Sequence, residues 1–263
     1  MKKHFLYLSL LGFFSGYGQV NFLGKPGYIA TPSAEWNTQK DLSLSFGYLP
    51  TEYSIFNLPE NDRNTVHFYN ARVNFTSFME VGLSIAHRPH MADKIGVGDR
   101  QLDLRFLLLK EQKYFPAVVL GWTPPASVSP VMAHDYLVLT KNISTSIGNI
   151  NLSGGYGSSY LIRRNPKKNG LESLEIITKS EFGHSNYLEG FFGGLTYQPV
   201  SFGGILLEYD THTINAGAFL KPTNWLILQG HTFEGKKWAF TAAANFSLNF
   251  SPRALRRYEK DLD

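Results

Sequence analysis

The chain has 263 residues, and its 25 Lys+Arg against 21 Asp+Glu leave a net charge of +4, too even a balance for a nucleic-acid surface. It has no cysteine, which excludes disulfides, thiolate metal sites, cysteine nucleophiles and a lipidated N-terminal cysteine. With 17% charged residues, 14% aromatics and 24 glycines, the composition suits many strands joined by tight turns rather than a helical or disordered protein.

Lys2 and Lys3 precede an apolar stretch from Phe5 to Phe14, followed by Gly16-Tyr17-Gly18. Residues 1–18 therefore read as a secretory signal peptide cleaved before Gln19. The apolar run is far shorter than the roughly 20 residues of a spanning helix, which counts against an N-terminal anchor. No later segment could span as a helix, so the mature chain is either soluble outside the inner membrane or a transmembrane barrel. Residues 19–40 are expected as a periplasmic segment ahead of that domain.

From residue 41 to 250 the pattern is alternation, as a strand requires when lipid lies on one side and a polar lumen on the other. Leu42, Leu44, Phe46 and Tyr48 oppose Ser43, Ser45 and Gly47. Tyr69, Ala71, Val73 and Phe75 alternate with Asn70, Arg72 and Asn74, and Val81, Leu83 and Ile85 with Gly82, Ser84 and Ala86. Leu102, Leu104, Phe106 and Leu108 alternate with Asp103 and Arg105, charges that need a wet or paired interior. Ile150, Leu152, Gly154 and Tyr156 oppose Asn151, Ser153 and Gly155; Ile205, Leu207 and Tyr209 oppose Glu208 and Asp210. The last strand sets Trp238, Phe240, Ala242, Ala244, Phe246, Leu248 and Phe250 against Thr241, Asn245, Ser247 and Asn249. Residues 115–124, 135–142, 188–198, 213–221 and 225–232 are weaker candidates, apolar on both faces.

Twelve strands result. Most have about 8 to 13 residues, near the length of a tilted membrane strand and longer than the strands usual in a soluble sandwich. Connections after even strands are short and those after odd strands longer, apart from the last two at Asp210 and Glu234-Gly235. That asymmetry fits an outer-membrane barrel with both ends in the periplasm. Residues 251–263 form a charged periplasmic tail that does not cross a bilayer. The fold class is thus an all-β, antiparallel transmembrane barrel of about twelve strands.

Two stretches point to a family. One is Gly24-Lys-Pro-Gly-Tyr-Ile-Ala-Thr-Pro-Ser-Ala34; the other runs from Gly98-Asp-Arg-Gln-Leu-Asp-Leu-Arg-Phe106 through Phe115-Pro-Ala117, Tyr136-Leu-Val138, Lys141 and Gly154-Gly-Tyr-Gly157. With Phe192-Gly-Gly-Leu195 and Leu206-Leu-Glu-Tyr-Asp210, their order resembles the YjbH family of outer-membrane proteins, linked to exopolysaccharide production and secretion. The resemblance implies an outer-membrane barrel that exports polysaccharide or assembles it at the surface. Fuller members look like more than one barrel and this chain has room for one, so an accessory or plug subunit of a larger secretion complex is the alternative.

Arg72, Asp99, Asp103, Arg105, Glu208 and Asp210 are the expected lumen charges. They could hydrogen-bond saccharide hydroxyls, or pair with one another and fill the barrel, the favoured reading for a small barrel. Arg163, Arg164, Lys167 and Lys168 form an expected basic outside loop that could attract anionic polysaccharide or lipid phosphates. No enzyme is expected. His184 and Ser185 are adjacent and would face opposite ways on a strand, against a lipid hydrolase. His87 and His90 lack an evident third ligand, so no metal is expected. Gly230-His-Thr-Phe-Glu-Gly-Lys-Lys237 nearly spells a phosphate loop but lacks the Ser/Thr and the helix, and reads as a hairpin turn. No cofactor is expected. The expected partners are outer-membrane lipid, polysaccharide and export subunits, with no nucleic acid.

Overall fold

The computed structural model describes residues 19–37, 39–53, 65–91, 98–125, 133–165, 167–182 and 188–248. The expected signal peptide, the charged tail and the His184-Ser185 pair lie outside them.

Twelve antiparallel strands close into a barrel. In chain order they are β1 (Leu42–Leu49), β2 (Val66–Asn74), β3 (Met79–His87), β4 (Asp99–Leu109), β5 (Ala117–Trp122), β6 (Tyr136–Thr145) and β7 (Gly148–Gly157). After a separate hairpin of β8 (Tyr160–Arg164) and β9 (Leu174–Thr178) come β10 (Gly190–Val200), β11 (Gly203–Tyr209), β12 (Ile214–Leu220), β13 (Leu226–Phe233) and β14 (Lys237–Phe246). Each barrel strand pairs with its neighbour in sequence, β7 with β10 across the hairpin, and β1 closes on β14 from Leu42 opposite Phe246 to Tyr48 opposite Phe240. The connection after β7, expected to be one of the longer ones, thus contains a two-stranded hairpin whose Leu161 and Ile177 pack on Ala133.

The turn at Glu234-Gly235 is a hairpin turn, with φ of 50° and 71° at its centre and Lys236 N–H donating to Phe233 O at 2.9 Å. Two positive φ values match the right-handed twist of the strands it joins. At the other end of the barrel β6 and β7 are joined by residues 146–147 alone and β10 and β11 by 201–202.

Alternation sorts the wall into two faces. Leu44, Leu83, Leu120, Leu152, Ile205, Leu228 and Phe240 point outward and are exposed. Aromatic rings cluster at both rims: Phe75, Phe78, Tyr114, Phe115, Phe202 and Trp225 by the short turns, and Tyr156, Phe191, Tyr209 and Trp238 by the long loops. The strands that read as apolar on both faces have a physical reason for it. Val119, Val138, Phe192, Phe219 and Phe233 point inward and are buried, in one core with Phe22, Leu23, Tyr28 and Ile29 from the N-terminal segment.

Candidate functional site

That core exists because the segment before β1 is folded inside the barrel. Sequence alone sets residues 19–40 ahead of the barrel as a periplasmic stretch; in the structure every residue from Gln19 to Ala34 is buried in the lumen. Residues 19–36 are called the plug below.

The plug first satisfies its own backbone. The Asn21 side chain accepts the N–H groups of Leu23 and Lys25, each at 3.0 Å, an Asx turn, and donates to Ala30 O at 3.0 Å. Gly24 takes φ 76° in this turn. Pro26 and Pro32 bring no N–H, and each sits in a bridge, with Val20 and Gly27 respectively.

The wall receives what remains. Glu208 on β11 accepts the N–H groups of Ile29 at 3.0 Å, Ala30 at 2.9 Å and Thr31 at 3.0 Å, and the Thr31 hydroxyl at 2.9 Å. Asn215 on β12 donates to the same carboxylate at 3.1 Å. Across the lumen, Lys25 Nζ lies 3.0 Å from Asp103 and 2.6 Å from His134 Nδ1. Arg105 donates to Ser33 O at 2.7 Å and pairs with Glu80, which also takes Arg72 at 2.8 Å. The Tyr28 hydroxyl lies 2.5 Å from Asn151 Oδ1 and 2.7 Å from Ser153 Oγ, and Thr140 Oγ1 accepts Ala34 N–H at 2.6 Å.

Two glycines make room. A Cβ on Gly194 would come within 2.5 Å of the Tyr28 ring, and one on Gly47 within 2.8 Å of Phe22 O. Side chains at these inward positions would displace the plug.

Burial shifts the charges that the plug itself carries. It lowers Lys25 below an ordinary lysine against the opposing pull of Asp103. At the foot of the plug it pushes Glu35 up to about 7, with Lys221 and Arg105 working the other way. On the hairpin, burial brings Lys179 down to about 8, while Asp135 and Glu189 oppose it.

Of the charges expected in the lumen, Arg72, Asp103, Arg105 and Glu208 face it and are buried. Asp99 and Asp210 sit at the rim instead. Asp99 opens β4 and lies 3.5 Å from Arg88, and Asp210 follows β11 and holds its turn by accepting Thr213 N–H at 2.7 Å. Arg163 and Arg164 lie on β8, with Lys167 and Lys168 in the turn beyond. Glu175 on β9 is 3.5 Å from Arg163 and 3.0 Å from Lys168, which offsets part of that basic charge. Sequence reasoning missed Glu80, which sits between two arginines, and Lys25, Tyr28, His134 and Asn215. Glu80 was within reach, because it shares a face with Gly82 and Ser84 in β3.

Fold and site together define a closed β-barrel plugged by its own N-terminal segment. The chain matches the sequence profile of the YjbH family, described as exopolysaccharide biosynthesis protein YbjH, over residues 19–261, and it belongs to that family. A comparison with curated proteins finds no match.

Proposed function

We propose that the chain is an outer-membrane barrel that serves export or surface assembly of exopolysaccharide without catalysis, and that its own plug shuts it at rest. A signal peptide over residues 1–18 would deliver it. The apolar outer wall and its two aromatic rims are what a bilayer core and its interfaces favour, and the family supplies the link to exopolysaccharide.

The observation that carries the closed state is Glu208, whose carboxylate gathers three successive plug N–H groups. A carboxylate so bonded, and only 2% exposed, holds the segment by charge-assisted hydrogen bonds. The filled lumen equally supports the second reading, an accessory subunit that works through its loops and rims within a larger secretion complex.

Planar-bilayer recording tests the closed state. The full chain is expected to be silent, and a chain lacking residues 19–36 is expected to give steady ion currents. Steady currents from the full chain would refute it. Loss of surface polysaccharide on deleting the gene, restored by the full chain, tests the biological assignment separately.

A further inference from the structure

In the lumen wall a neutral stretch, β13, β14 and β1, lies between the charges of β2–β4 on one side and of β11 on the other. Arg72, Glu80, Asp103 and Arg105 on β2–β4 and Glu208 on β11 make the charged part. From the level of His231 to that of Ser43, the inward residues of β13, β14 and β1 include Gln229, His231, Thr241, Asn245 and Ser43, with no charged side chain; Lys237 lies beyond, at the exposed loop end of β14.

The charged part and the neutral stretch meet the plug differently. On the charged part, atoms with no partner among the described residues, such as Arg72 Nε and Asn70 Oδ1, belong to side chains that bond elsewhere, and they border a cavity with room for about one water. On the neutral stretch, the Ser43 hydroxyl, the Thr241 hydroxyl and both ring nitrogens of His231 are buried with no hydrogen-bond partner among the described residues. Gln229 donates to Tyr28 O at 2.7 Å, and its own oxygen is unpaired. The plug side chain over this wall is apolar: Val20 packs on Ile227 and Ala243.

These orphans form a line. Gln229 is directly opposite Thr241, His231 lies one inward position toward the loops, and Ser43 lies opposite Asn245 toward the short turns. From the level of His231 to that of Ser43 the line spans about 20 Å at roughly 3.3 Å per residue. Buried polar groups in native proteins are nearly always satisfied. A lumen sealed for good would favour apolar residues here, as it does at Ile227 and Ala243.

We propose that this neutral wall is a contact surface for a hydroxyl-rich, uncharged saccharide chain, which the plug covers at rest and uncovers when it withdraws. Hydroxyls donate and accept, and would satisfy Gln229 Oε1, Thr241, Ser43 and both His231 nitrogens where the plug does not. The inference rests on the exopolysaccharide reading above and adds the class of ligand and the surface that meets it.

Because the chain has no cysteine, Thr241→Cys places a single thiol on this wall. The folded barrel, verified by its heat-modifiable gel mobility, is exposed to a water-soluble thiol reagent in detergent. Slow labelling is expected, at least about tenfold faster when Glu208→Gln weakens the plug's charged anchor, and slowed by excess maltoheptaose. Replacing His231 with Phe should remove that protection. No labelling of either folded protein, with full labelling after denaturation, would overturn the withdrawal of the plug. Labelling that maltoheptaose leaves unchanged would overturn the saccharide assignment. Both readouts are independent of the bilayer test, so a silent full-length channel is compatible with rare openings that labelling accumulates.

Discussion

The carboxylate of Glu208 accepts the backbone N–H of Ala30 at 2.9 Å, a bond between residues 178 apart in sequence. Replacing Glu208 with Ala removes the shared acceptor for three plug N–H groups. A hydrogen bond to a charged group contributes about 1.5 to 3 kcal/mol, so the plug should loosen while the barrel ladder survives. Bilayer currents should appear, and limited proteolysis should cut residues 19–36 well before the strands.

Glu80 neutralises two buried arginines at once, Arg72 at 2.8 Å and Arg105. Glu80→Ala leaves both cations uncompensated and should destabilise the barrel by about 3 to 5 kcal/mol, read as a lower midpoint in urea unfolding from detergent. Asp99→Asn breaks a longer contact of 3.5 Å to buried Arg88 in which the carboxylate is 41% exposed to solvent, and should lower the same urea midpoint less than Glu80→Ala does.

Gly194 tests the fit of the plug without touching a charge. A Cβ there would lie within 2.5 Å of the Tyr28 ring, so Gly194→Val should expel the plug. Gly193→Val, on the outward face of the same strand, should leave it seated. Ion conductance of the two variants provides the comparison, with current expected from the first alone.

Glu35 makes the hold of the plug depend on pH. Burial raises its pKa from 4.5 to about 7, so the docked segment binds a proton more tightly than the released one. Docking is therefore strongest below the released value and weakens as pH rises through about 7. Susceptibility of the plug to protease should increase across that window in the wild type, and Glu35→Gln should flatten the change. A wild-type profile flat between those limits would remove Glu35 as its cause.

The strands were legible because alternation is local. Leu42 through Tyr48 and Trp238 through Phe246 disclose their two faces within a few residues, and that periodicity is a direct consequence of pleated backbone geometry. The same periodicity puts the charges of Arg72, Asp103, Arg105 and Glu208 on the lumen face. Alternation fades in β5, β6, β10, β12 and β13, and this fading is the one sequence trace of a packed interior. Val119, Val138, Phe192 and Phe219 had to be apolar because Ile29, Tyr28 and their neighbours share the lumen with them.

The amino-acid order by itself determined the twelve barrel strands, the two faces within them and where their connections are short, since each follows from spacing along one strand. Only the tertiary structure decided that residues 19–36 turn back into the lumen, that Glu208 receives Ala30, and that Glu80 stands between Arg72 and Arg105. Those contacts join segments far apart in the chain, and they appear only when closing β1 onto β14 brings the opposite walls of the barrel within reach of one buried segment.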